Sequence, residues 1–192
     1  MCGSPTIASC LYIALTASLQ DLKSVRGVLE NLMYLSGTRN LLYVTDIRGP
    51  QSVPGYKLEH LSCFYAGLLA LGVETLTGTG DLPLADAELH RWAAEGLTTT
   101  CYLAYAETPS GVGPEEIHFL NNKAHMSHLW MPEVRRWIKK GRKGGIPPGV
   151  VRGADALPRK SEFATGDHPS TDRLKFDYWL SNAAYYSRPE VR

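Results

Sequence analysis

The stretch Lys57-Leu-Glu-His-Leu-Ser-Cys-Phe-Tyr-Ala-Gly-Leu-Leu-Ala-Leu-Gly72 constrains this chain more than any other. It sets a carboxylate and an imidazole, Glu59 and His60, at the mouth of an otherwise almost wholly apolar helix, with Cys63 one turn further on. Leu58, Leu61, Tyr65, Leu68 and Leu69 recur at helical spacing, and Cys63, Phe64 and Leu71 widen the stripe. The pattern predicts a helix from Lys57 to Leu71, buried on most sides and stopped by Gly72. Charged groups are seldom buried without a partner or a task, so a polar start on so apolar a helix marks a candidate functional position.

The same reading along the chain predicts mostly helix. Val25, Val28, Leu29, Leu32 and Leu35 share one face of a helix that ends at Ser36-Gly37. Leu41 to Thr45 reads as a short strand, and Arg48 to Gly55 as a loop. A long helix runs from about Ala85 to Tyr105, and Glu115 to Leu120 is extended. From Lys123 to Thr171 the chain is rich in Gly, Pro and basic residues, with one short helix from Pro132 to Lys140 that has Pro in its first turn. Helices separated by loops, with scraps of strand and no βαβ alternation, point to helical hairpins and away from a parallel sheet.

Composition excludes several classes. At 192 residues with 44% hydrophobic and 20% charged side chains, the chain can bury a core and is not disordered. A formal net charge of +1 gives no global attraction to nucleic acid or membrane. No apolar run reaches the ~20 residues that span a bilayer. Ile7 to Leu19 has the length of a signal h-region but no preceding Lys or Arg, so it is not a convincing signal peptide. Cys2, Cys10, Cys63 and Cys101 form no CxxC pair, which argues against zinc. Cys63 and Cys101 are two buried thiols or a disulfide, and the residues alone leave both open. A bridge would stabilise by roughly 4 kcal/mol and imply an oxidising compartment. His125 and His128 read as an ordinary amphipathic turn. Arg135, Arg136, Lys139, Lys140, Arg142, Lys143 and Arg152 support a rival, a basic loop binding nucleic acid or another acidic surface, although no nucleic-acid motif accompanies them. Of the four tryptophans, Trp179 is placed to meet a ligand and Trp92 to pack.

Four blocks, in order, resemble the class I α-1,2-mannosidases, glycoside hydrolase family 47. Val25-Arg-Gly-Val-Leu-Glu-Asn-Leu through Leu41-Leu-Tyr-Val-Thr-Asp46 resembles the helix and strand before the family's central motif. Lys57-Leu-Glu-His-Leu-Ser-Cys-Phe is similar to Lys-Met-Asp-His-Leu-x-Cys-Phe. Leu97-Thr-Thr-Thr-Cys-Tyr-Leu-Ala-Tyr through Gly113-Pro-Glu-Glu-Ile-His-Phe119 resembles Thr-Cys-Tyr followed by Pro-Glu-Ile-x-x-Phe. Tyr185-Tyr-Ser-Arg-Pro-Glu190 resembles Tyr-Leu-Leu-Arg-Pro-Glu. Gly144 to Gly149 is similar to an inserted loop of fungal-type members. The likeness runs from about Ser24 to the C-terminus, and residues 1–23 match poorly.

The resemblance implies a mainly α fold, part of an (α/α)7 barrel with minor strands, as one partial catalytic domain over residues 1–192 with 123–171 as a loop insertion. It implies an inverting hydrolase of high-mannose N-linked glycans that uses calcium, in the endoplasmic reticulum or Golgi lumen or secreted. Inversion needs a general acid and a general base with carboxyl groups ~6.5–9.5 Å apart. On this reading Glu190 is the catalytic base, Arg188, His60, Glu59 and Glu115 line the sugar site, and Cys63 and Cys101 form the family's disulfide. Departures accompany the likeness. Glu59 stands for the usual Asp and Ser187 for a Leu. An acidic residue on an early helix and the Gly-Asp-Ser-Tyr-Tyr-Glu motif are absent, and the calcium-holding threonine lies beyond Arg192, leaving no metal ligand within this chain. The expectation is a chain inactive by itself, completed by a missing part of the same barrel. A relative that binds mannose glycans without cutting them is the alternative.

Overall fold

The computed structural model describes residues 22–108, 111–123, 125–158 and 177–181. Helix α1 (residues 22–31) leads into strand β1 (Met33–Leu35), which forms a hairpin with β2 (Leu42–Val44) in the register Met33↔Val44 and Leu35↔Leu42. A small hairpin, β3 (Ile47–Arg48) and β4 (Val53–Pro54), precedes β5 (Lys57–Glu59). A single 3-10 turn (His60–Cys63) then opens α2 (Phe64–Thr79), which packs on α3 (Leu84–Ala106). Strand β6 (Glu116–Phe119), β7 (His128–Leu129), α4 (Trp130–Lys139), a 3-10 turn (Gly153–Ala156) and β8 (Tyr178–Ser181) complete the order. The sheets are antiparallel and small: β2-β1-β7, β3-β4 and β5-β6-β8. Most residues in regular structure are helical, as the sequence predicts.

Three predicted boundaries move. Lys57–Glu59 is a strand, so the helix starts at Phe64 and Glu59 and His60 stand before it. It runs through Gly72 to Thr79, because one helical glycine costs only ~1 kcal/mol against a long apolar neighbour. The true stop is Gly80, whose φ of 80° is the left-handed cap that favours glycine. Second, Met33–Leu35 leaves the predicted helix and pairs with β2, all three residues buried. A short continuous apolar run fits a buried strand as well as a helix, and here the neighbour strand decides. Third, the loop predicted from Arg48 to Gly55 carries the β3–β4 hairpin.

The longer helix also revises the reading of apolar runs. The stretch His60–Thr79, with a mean hydropathy of 1.3, is long and apolar enough to cross a membrane by length and composition. In this fold α2 packs one side against α3. On its other side Leu61, Phe64, Leu68 and Leu71 are each more than half exposed.

Two main clusters make the core. One joins Leu29, Met33, Leu35, Leu42, Leu69, Leu97 and Trp130, binding α1, α2, α3 and α4 around the first hairpin. The other joins Leu58, Cys63, Cys101, Leu103, Ile117, Phe119, Tyr178 and Leu180, fixing the inner face of the β5-β6-β8 sheet to α3.

Candidate active site wall on the β5-β6-β8 sheet

Side chains alternate across a strand, and this sheet uses the alternation fully. Leu58, Ile117, Phe119, Tyr178 and Leu180 enter the core. Lys57, Glu59, Glu116, His118 and Trp179 occupy the opposite set of positions. The register places Lys57, His118 and Trp179 in one cross-strand row, and Glu59 opposite Glu116 in the next.

The polar face is internally wired. Lys57 Nζ donates to Glu59 Oε1 at 2.7 Å and to Glu116 Oε1 at 2.8 Å. Glu116 Oε2 lies 3.3 Å from His118 Nε2, and the His118 ring stacks on the Trp179 indole with centroids 5.0 Å apart and planes 17° from parallel. The hydrogen bond from Lys57 holds the Glu116 carboxyl below the usual carboxylate range. The bonds to Glu116 and Glu59 in turn raise the Lys57 ammonium above its usual value. A cleft of about 230 Å³ opens beside this face between Thr45, Asp46, Lys57, Glu59 and Ser62. Arg48 Nε binds Asp46 Oδ2 at 2.8 Å near its rim. Partial burial opposes ionisation of Asp46, but the Arg48 bond outweighs it and lowers the pKa.

His60 sits at the end of the β5–β6 ladder. Its backbone N–H donates to the Glu115 carbonyl at 2.9 Å, and its Nε2 bonds the Tyr105 hydroxyl at the end of α3. The ring is buried and packs edge-on to Tyr105 at 5.3 Å. Gly113 lets the 111–115 segment cross that tyrosine: a Cβ there would lie 2.4 Å from the Tyr105 ring. Cys63 and Cys101 are bonded, with Cα atoms 6.1 Å apart, so the turn bearing His60 is tied to α3.

A second ionic group lies entirely inside. Arg39 Nε donates to Asp177 Oδ2 at 2.8 Å, and its two terminal nitrogens donate to the Glu107 oxygens at 2.7 and 3.3 Å. The backbone N–H groups of Thr38 and Arg39 both donate to Asp177 Oδ1 at 2.9 Å. The Tyr178 hydroxyl donates to Glu107 Oε2. Burial opposes the charge on Arg39, but the bonds and charge of Glu107, then of Asp177, more than offset it and raise its pKa. Burial first, then the Glu107 charge, pushes Tyr178 well above its usual value. The cluster joins the loop after β1, the end of α3 and the start of β8, the strand that leads toward Arg188-Pro-Glu190.

Of the predicted site residues, the structure brings Glu59, His60 and Glu115 together at one end of the sheet. Glu59 is largely exposed beside Lys57, Glu115 is partly exposed, and His60 is buried behind them. Arg188 and Glu190 lie outside the described residues. Sequence reasoning passed over Lys57, Glu116 and His118 as site residues. The signal is the alternation in Lys57-Leu-Glu59, masked by the helical pattern that follows it, and in Glu116-Ile-His-Phe119, within the stretch predicted to be extended. His125 bonds Thr38 Oγ1 at 2.8 Å. In the basic segment Arg135, Arg136, Arg142 and Arg152 each pair with a glutamate: Glu30, Glu133, Glu88 and Glu95. Among the described residues no group of three or more His, Cys, Asp and Glu converges as a metal cage. Where one would form, between Glu59 and Glu116, the Lys57 ammonium stands, so these residues do not fit calcium.

A mainly helical body that presents carboxylates, an imidazole and an indole on the outer face of a small antiparallel sheet has the equipment of a carbohydrate-active domain. This chain belongs to glycosyl hydrolase family 47, whose sequence model matches residues 20–192. It is similar to a mannosyl-oligosaccharide 1,2-alpha-mannosidase of Candida albicans, 36% identical over 109 residues covering 50% of this chain and 18% of that protein. It is also similar to the endoplasmic reticulum mannosyl-oligosaccharide 1,2-alpha-mannosidase of Saccharomyces cerevisiae, 30% identical over 126 residues covering 62% and 23%. The human endoplasmic reticulum counterpart is 34% identical over 106 residues covering 54% and 13%. The matched stretch spans between 13% and 23% of the length of these relatives.

Proposed function

We propose that this chain forms one wall of the substrate cleft of an inverting α-1,2-mannosidase that acts on high-mannose N-linked glycans, as one partial catalytic domain of an (α/α)7 barrel. The observation that supports the reading is that Glu59, which lines the cleft, stands with His60 and Glu115 at one end of the β5–β6 pair, within the stretch matched by the family. In this reading Glu190 takes a proton from the attacking water, and Arg188 with Glu59 and Glu115 holds sugar hydroxyls. Tyr105 fixes the His60 ring at the rear of that wall. Calcium, when bound in a complete barrel, would supply charge and orientation to the reacting sugar from ligands outside the described residues.

The bare stripe Leu61, Phe64, Leu68 and Leu71 supports a further part of this reading, that the remainder of the barrel packs on α2. The disulfide fits the oxidising lumen of the secretory pathway. The reading is tested with α-1,2-linked mannobiose and the purified chain, alone and mixed with the missing portion of a family 47 barrel. The expected result is no mannose release alone, release on complementation, and loss of that release on Glu190→Gln. Release by the mixture that survives Glu190→Gln would sink the assignment of the base.

A further inference from the structure

We infer that the His118–Trp179 stack and the Lys57–Glu59–Glu116 network form a hexopyranose-binding platform that extends the site from Glu59 across the outer face of the sheet. The inference rests on the carbohydrate reading above, and adds a sugar contact on the outer face of β6 and β8.

The charge arrangement selects the ligand. A phosphate or other anion would meet two carboxylates on this face, Glu59 and Glu116. A metal cation would have to displace Lys57, whose ammonium already bridges those carboxylates at 2.7 and 2.8 Å. With cation and anions satisfied by one another, what the face offers is a fixed set of acceptor oxygens and N–H donors at hydrogen-bond spacing. That set suits a neutral polyol, whose hydroxyls both donate and accept.

The ring pair supplies the other half of sugar recognition. His118 and Trp179 lie nearly parallel, 17° apart, and Trp179 is only partly buried. An indole lying flat beside a polar network presents an apolar plane edged by hydrogen-bonding groups, matching a pyranose with its C–H face and equatorial hydroxyls. The stack is rigid, because Glu116 holds His118 and the sheet register holds both rings in one row. A preorganised site loses less entropy on binding.

The experiment titrates the full 192-residue chain with α-1,2-mannobiose, and with cellobiose as a second sugar, by calorimetry. Trp179→Ala should weaken mannobiose binding about tenfold or more, the loss expected of a truncated aromatic anchor. Trp179→Phe should retain most of the binding. Tyr178 and Leu180 hold the opposite face, so an unaltered thermal melt shows that Trp179→Ala has kept the fold. If Trp179→Ala binds like the parent while Arg188→Ala or Glu190→Gln loses binding, the platform is wrong and the mannosidase cleft stands. If cellobiose binds through Trp179 and mannobiose does not, the platform stands and the mannosidase reading fails. No binding of either sugar overturns the platform outright.

Discussion

Two groups of charges in this molecule share the same chemistry, yet their surroundings differ. Inside, Arg39 is held by Glu107 and Asp177 with side chains at most 1% exposed. Outside, Lys57 is held by Glu59 and Glu116, whose side chains are 56% and 35% exposed. Each group places one cation between two carboxylates. Burial makes the first a fastener, because removing any member leaves an uncompensated charge in the interior. In the second the Lys57 side chain is only 10% exposed, but its two carboxylate partners reach solvent, which weakens the pair and leaves their oxygens accessible. The inner group fixes the strand that leads toward the Arg-Pro-Glu segment, while the outer group faces what would be bound.

The sharpest way to break this comparison is to remove the two cations in parallel. Arg39→Met should cost about 3–5 kcal/mol of unfolding free energy, the range for breaking a buried ion pair. Lys57→Met should cost roughly 1 kcal/mol, nearer the surface-pair value. Urea denaturation of both variants decides it, and equal losses would mean that the inner cluster is not the lock.

The covalent fastener gives the next test. Cys63 and Cys101 close a loop with a sequence separation of 38, which in the chain-entropy account is worth roughly 4 kcal/mol. Cys63→Ala with Cys101→Ala should lower the urea midpoint by a corresponding amount. The same pair of changes should free the turn bearing His60, which is read as faster amide exchange at His60 with little change on β8. Slower unfolding or unchanged exchange at that turn would show that the bridge does not hold it.

Much of this plan is legible in the chain, and what is not has a physical reason. Helix α3 is read almost to the residue because its apolar face repeats over six turns and Pro83 marks its entry. The disulfide follows from family resemblance, whereas the residues alone left free thiols equally open. The helix predicted from Lys57 fails at its start, since three residues of alternation cannot outweigh the long apolar run behind them. Nothing local marks Arg39, Glu107 and Asp177 as partners. They come together only through the docking of loop, helix end and strand, a long-range fact that one sequence does not carry. The candidate site residues Glu59, His60 and Glu115 are read from a motif, while Glu116 and His118 need the sheet register to show that they share a face with Lys57 and Glu59.

A joint between the two groups offers a smaller effect. Gly113 passes against Tyr105, the partner of His60, so Gly113→Ala forces a Cβ into the ring. Overpacking of this kind costs about 1–3 kcal/mol. The His60 imidazole signals in an NMR spectrum should shift while those of His118 stay in place. If both move, the wall behaves as one unit and the separation of roles is too sharp.

The smallest effect is in pH. The Lys57 bond holds the Glu116 carboxyl below its ordinary value of 4.5 in the folded chain. A carboxyl with a depressed folded pKa adds stability that is fully present above its unfolded value and is lost as pH falls through the folded one. Asp46 is lowered too, by Arg48 acting against burial, so both contribute to an acid limb below the ordinary carboxylate range. The raised pKa of Lys57 adds stability that is complete below 10.5 and declines as pH rises through the folded value. Tyr178, raised first by burial, declines over the same alkaline range, so the acid limb is the cleaner measurement. Glu116→Gln should flatten that limb by less than ~1 kcal/mol, because the pair is partly solvated and screened by salt. Stability curves between pH 2.5 and 6 at low and high salt test this. A larger change, or one indifferent to salt, would place the outer group in the same class as the buried one.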